Sequence, residues 1–235
     1  MTDYGNLIAV TNRHLCKENL ADRQNGANAD QRDGIYADEE IVSLLQQIEK
    51  ILPLRPNALI LREKDLPDSE YEKLAEKVMA LCEKENVPCF LHSHADIARK
   101  LGCKRIHIPA AVLIESSCSS IDTGEGNISS TSTDIGENKN SGSFGDFSEV
   151  SVSCHRLEEI DEVVRCGATR IVLGNIFETG CKPGLEGKGL EFLKKAADRS
   201  PVPVYAIGGI TPENLPEVLS AGAAGGCMMS GFMKI

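Results

Sequence analysis

Residues 201–231 read PVPVYAIGGITPENLPEVLSAGAAGGCMMSG, and they contain a complete strand–helix–strand unit. PVYAIGG (203–209) is a short apolar run closed by two glycines, the pattern of a strand covered on both faces. Thr211-Pro212-Glu213 then supplies helix-start chemistry for a helix over 211–221. GCMMSG (226–231) is the second strand, and two strands joined through a helix run parallel.

Working outward, the same alternation fills most of the chain. Strands are expected at LIAVTN (7–12), ALILRE (58–63), PCFLHS (88–93), RIHIPA (105–110), VSVSCH (150–155) and RIVLGNI (170–176), with helices over 38–52, 68–86, 94–102, 156–167 and 187–199. Pro67-Asp68-Ser69 marks one of the helix starts. Eight strands alternating with helices point to an α/β fold, a TIM (β/α)8 barrel, over a doubly wound open sheet. The fourth helix slot is read as an insertion, and the eighth helix is missing because the sequence stops with the eighth strand. One domain over 1–235 is expected. Two acidic, disordered insertions interrupt it, 17–37 and the Ser-rich 116–148, both too polar to offset their ordering entropy.

The net charge of −10 belongs to those segments. Residues 17–40 carry −4 and residues 115–149 carry −6, so the rest of the chain is balanced. No basic surface is left over for nucleic acid. No apolar run approaches the roughly 18 to 20 residues of a membrane helix, and the N-terminus lacks signal-peptide features. A cytoplasmic protein without membrane or nucleic-acid partners is expected. The nine cysteines are odd in number and include no C-x-x-C pair, so buried reduced thiols are expected.

In a barrel, catalytic groups project from the C-terminal ends of the strands, and phosphate is held after strands seven and eight. Gly208-Gly209 and Ser230-Gly231 occupy those two places and would close backbone N–H groups on an anion. Arg62 and Lys64, two residues apart at the end of strand two, would point to the same side and clamp a phosphate or carboxylate. The glycine-rich loop after strand six carries Thr179, Cys181 and Lys182. His155 ends strand five, where an imidazole can act as general acid and base. His92 and His94 have the spacing of half a metal site, for which His107 is the one further candidate. No metal is assigned.

The motifs LREKDL (61–66), VSVSCHRLEEI (150–160), LGNIFETGCKPGLEGKGL (173–190), PVYAIGGITPENLPEVLSAGAAGG (203–226) and MSG (229–231) resemble the thiamine phosphate synthase / TenI superfamily. The resemblance covers nearly everything outside the two acidic segments and implies a TIM barrel. It also implies one of two activities. The synthase couples a pyrimidine diphosphate to a thiazole phosphate with magnesium. Where its pattern has Gln, Asn-Asp and a His-Leu-Gly-Gln-x-Asp run, this chain has Ile60, His92-Ser93 and His107-Ile108-Pro109-Ala110-Ala111-Val112. The thiazole tautomerase uses no metal, and its strand-five His and Phe-Glu-Thr-x-Cys-Lys loop match here. That branch implies His155 as the acid–base group aromatising a carboxythiazole phosphate. Gly208, Gly209, Ser230 and Gly231 would hold the phosphate, Arg62, Lys64 and Lys182 would face its anionic groups, and no cofactor is needed. The tautomerase is the main expectation and the magnesium-assisted synthase the alternative, beside a silent phosphate-binding barrel. A partner or a second copy is expected to cover the flank without a helix.

Overall fold

In the computed structural model, which describes residues 4–16, 32–118, 143–180 and 184–235, eight parallel strands close into a barrel in sequence order. They are β1 Leu7–Val10, β2 Ala58–Leu61, β3 Cys89–His92, β4 Arg105–Pro109, β5 Glu149–Cys154, β6 Arg170–Gly174, β7 Val204–Ile207 and β8 Gly225–Met228. Closure is made by β8 on β1, with Gly226 opposite Leu7 and Met228 opposite Ala9. The strands alternate between the barrel interior and the layer under the helices. Ile8, Val10, Ile60, Phe90, Val172, Tyr205 and Cys227 pack inside the barrel. Their neighbours Leu7, Ala9, Leu59, Leu61, Leu91, Ile106 and Ile108 pack outward against the helices. The interior is polar at its lower end, where the Glu149 carboxylate accepts from Arg105 Nε at 2.6 Å and from Arg170 Nη2 at 2.5 Å. The Arg170 guanidinium lies 4.5 Å from the Phe90 ring centroid.

The helices are α1 Arg32–Ile51, α2 Asp68–Lys84, α3 Ala95–Lys100, α4 Ala110–Cys118, α5 Glu158–Arg165, α6 Gly189–Arg199, α7 Leu215–Ser220 and α8 Ser230–Met233. Each presents a helical-period stripe to the sheet, as with Tyr71, Leu74, Ala75, Val78 and Cys82 of α2. Among the described residues no helix is long and apolar enough to cross a membrane.

Three expectations need correction. The fourth slot is not only an insertion, because α4 fills it with nine residues before the polar segment begins. The polar segments are also shorter than their composition implies. Residues 32–37 lie in α1, and 143–148 fold back on the barrel, with Phe144 and Phe147 buried and Arg99 holding Asp146 at 2.8 Å. Residues 17–31 and 119–142 lie outside the described residues. Finally, the eighth helix is reduced rather than wholly missing. One turn, α8, follows β8 and buries Phe232 and Met233. Its backbone is tied to α1 by Gln47 Nε2, which donates to the Phe232 carbonyl at 2.6 Å.

Candidate active site

The C-terminal ends of β2 to β6 bring together a chain of polar contacts. Leaving β2, Ile60 faces the barrel interior, so pleat alternation puts Arg62 on the same side. The positive charges of Arg62 and Lys64 both reach the two buried imidazoles ahead of them. Burial first, then His107, Lys64 and Arg62, push the His92 imidazolium far below its ordinary range. Burial, then Arg62, Lys64 and Arg170, push His107 down to about 3. Both rings are therefore neutral near pH 7, with centroids 5.5 Å apart.

His107 links two layers of the interior. Its Nδ1 lies 2.8 Å from Ser151 Oγ and its Nε2 lies 2.8 Å from Ser153 Oγ. Ser151 is fully buried, whereas Ser153 is half-buried nearer the rim. His94 turns elsewhere. It stacks on Tyr71 at 3.7 Å and sets Nδ1 3.4 Å from Asp68. The Tyr71 hydroxyl donates to the Leu61 carbonyl at 2.8 Å and accepts the His92 N–H at 3.1 Å, joining the exits of β2 and β3. His92 and His94 thus have different surroundings, and no group of three His, Cys, Asp or Glu among the described residues is placed to hold a metal.

His155 follows β5 directly. Its backbone N–H donates to Glu159 Oε2 at 2.7 Å, and the Arg156 N–H donates to the same oxygen at 3.1 Å, so Glu159 reaches back to fix the start of α5. Burial would raise the Glu159 carboxyl, but those N–H donors and the Arg156 guanidinium hold it below its ordinary value. The ring Nδ1 of His155 lies 3.0 Å from the Gly174 carbonyl at the end of β6. A carbonyl only accepts, so Nδ1 carries a proton and, in the neutral ring, Nε2 presents the lone pair. Lys188 Nζ donates to the His155 carbonyl and, at 3.3 Å, to the Gly174 carbonyl.

Gly208 and Gly209 have φ +99° and +64°. A Cβ on Gly208 would lie 2.6 Å from Asn175 Cβ, and one on Gly209 would lie 2.5 Å from the Glu178 carbonyl oxygen. The pair therefore lets the β7 exit lie directly on the β6 exit, where the Phe177 N–H donates to the Gly208 carbonyl at 3.0 Å. Asn175 Nδ2 donates to the carbonyls of Leu185 and Glu186, both at 3.3 Å, folding the strand-six loop back on itself. Ser230 is exposed at the start of α8, and Gly231 packs on Met228. Thr179 is half-buried in the strand-six loop, and Cys181 and Lys182 lie outside the described residues.

Sequence reasoning placed His155, Arg62 and Lys64 because strand ends can be read from apolar runs. It assigned no role to Ser151, Ser153, Asn175 or Lys188. Period-two alternation from Val152 marks Ser151 and Ser153 as inward-facing, a signal available in the sequence. The contacts of Asn175 and Lys188 arise only when the loop folds back.

A family model described as thiamine monophosphate synthase matches residues 35–124 and 130–232. The thiamine-phosphate synthase of Alkaliphilus oremlandii is 30% identical over 173 residues, covering 74% of this chain and 72% of that one. The thiamine-phosphate synthase of Clostridium novyi is 25% identical over 193 residues, covering 82% and 84%. Among solved structures, a thiamine phosphate pyrophosphorylase from Pyrococcus furiosus superposes with TM-score 0.67 at 19% identity, covering 100% of this chain and 90% of that one. That likeness speaks to the fold.

Proposed function

The chain belongs to the thiamine monophosphate synthase family, and on that premise we propose that it isomerises a carboxythiazole phosphate by proton transfer at the rim of the barrel. The observation that carries this reading is the His155–Gly174 contact of 3.0 Å, which fixes the tautomer and leaves Nε2 as a base at the end of β5. His155 Nε2 removes the ring proton and a proton is returned to the exocyclic carbon, so the product is an aromatic isomer of the substrate. Arg62 and Lys64 face its carboxylate or phosphate, and Lys182 is assigned to the same anionic groups. Gly208, Gly209, Ser230 and Gly231 cradle the phosphate, with Thr179 beside it in the strand-six loop.

A second reading is coupling of a pyrimidine diphosphate to a thiazole phosphate, and the names of the relatives support it more directly than the first. Magnesium would serve that reaction and requires hard oxygen donors. At the exits of β3 and β4 the chain offers His92, Ser93, His94 and Pro109, Ala110, Ala111, without a carboxylate. This donor set does not fit the ion.

Proton NMR in D₂O, with the thiazole phosphate and no added metal, tests the first reading. Isomerisation by the wild type should fall about 100-fold or more in His155→Gln. Absence of isomerisation in the wild type overturns it. Pyrophosphate release that requires both substrates would establish the second.

A further inference from the structure

The exit of β2 reads Arg62-Glu63-Lys64-Asp65, two cations interleaved with two carboxylates. Arg62 continues the inward side of β2 and the charges of Arg62 and Lys64 both act on His92 and His107, whereas the two carboxylates turn to one other residue, which collects both. Arg13, itself buried, donates its backbone N–H to Glu63 at 3.1 and 3.2 Å and its Nη1 to Glu63 Oε2 at 3.2 Å. The same guanidinium grips Asp65 in a two-pronged pair, Nη1 at 2.7 Å and Nη2 at 2.6 Å. Glu63 also accepts from the Thr11 hydroxyl, which in turn accepts the Arg62 N–H at 2.8 Å. Glu40 of α1 approaches Arg13 Nε at 3.2 Å, and His14 bridges Glu40 and Asp65 at 3.0 Å each.

We propose that Arg13 is a positioning residue of the anion site, holding Glu63 and Asp65 away from the mouth so that Arg62 and Lys64 present their charge to an incoming phosphate. The proposal rests on the phosphate-binding part of the function given above, and not on turnover. A carboxylate released within several ångströms of either cation would compete with a ligand anion and weaken its binding about five- to tenfold.

Calorimetric titration with inorganic phosphate tests it. Arg13→Gln should weaken binding about tenfold. The triple variant Arg13→Gln/Glu63→Gln/Asp65→Asn should return to within about twofold of wild type, because the competing charges are gone. A residue that merely braced the loop would leave the triple variant as weak as the single. If Arg13→Gln does not fold, Arg13→Lys replaces it, since one ammonium cannot grip both carboxylates. It should lose about threefold, restored by adding Asp65→Asn. Where turnover is found, Arg13→Gln should raise KM with kcat unchanged.

Phosphate binding that is lost in Arg62→Gln but indifferent to Arg13→Gln overturns the proposal alone. Binding that follows the Arg13 pattern without isomerisation overturns only the activity. A wild type that binds no phosphate overturns the proposal and leaves the activity to the isomerisation measurement.

Discussion

His107 stands where a charge is costly, in a barrel interior shared with Arg62, Lys64 and Arg170. With its pKa held at about 3 in the fold and about 6.5 in the unfolded chain, only the unfolded state takes the proton between those values. Stability is therefore complete above that window and falls as the pH drops through it, by at most about 1.4 kcal/mol per pH unit. His92 is displaced in the same direction. Urea midpoints at pH 7 and pH 4.5 should show the decline, and His107→Gln should flatten it; an unchanged slope would remove His107 from the account. Gly208→Ala belongs to the same scale. It combines a φ of +99° with a collision against Asn175, so a loss of about 1–3 kcal/mol in chemical unfolding is expected. Residue types at strand ends were legible in the sequence, since Arg62, Lys64 and His155 follow runs that could only be strands. The tautomer of His155 was not, because it depends on a carbonyl nineteen positions away.

Among the elements, α8 has a single turn and relies on tertiary contacts. Phe232 is fully buried and packs 5.5 Å from the Tyr4 ring, and Gln47 crosses from α1 to its carbonyl. Phe232→Ala should cost about 3–5 kcal/mol in the urea midpoint. Gln47→Ala should cost about 1–2 kcal/mol, and a cost near zero would mean that packing alone seats the turn. The eight strands were legible because parallel strands buried on both faces leave unbroken apolar runs. Two helical features were hidden by composition. The start of α1 is polar, and AAVLIESSC runs straight from a strand into a serine-rich stretch with no stop signal between them. Phe144 and Phe147 were passed over for the opposite reason, as two isolated aromatics at the end of a segment whose few apolar residues show no periodicity.

For the molecule as a whole, the decisive contact is the pairing of its first and last strands. Periodicity along the chain cannot see it, which is why an open sheet competes with a barrel until the strands are counted. At this seam backbone lies almost on backbone. A Cβ on Gly225 would fall 2.2 Å from the Asn6 carbonyl oxygen and 3.0 Å from the Tyr205 ring. Gly225→Ala should therefore lower stability by about 1–3 kcal/mol and disturb the near-ultraviolet signal of Tyr205, both read in one urea titration. The interleaved charges at the exit of β2 bear on how such a chain can vary through descent. Deleting or inserting one residue between Leu59 and Arg62 would exchange the two sides of that segment, aiming Glu63 and Asp65 at the mouth and stranding both cations outside it. At this short stretch only changes that preserve the count of residues, or alter it by two, leave the mouth attractive to an anion.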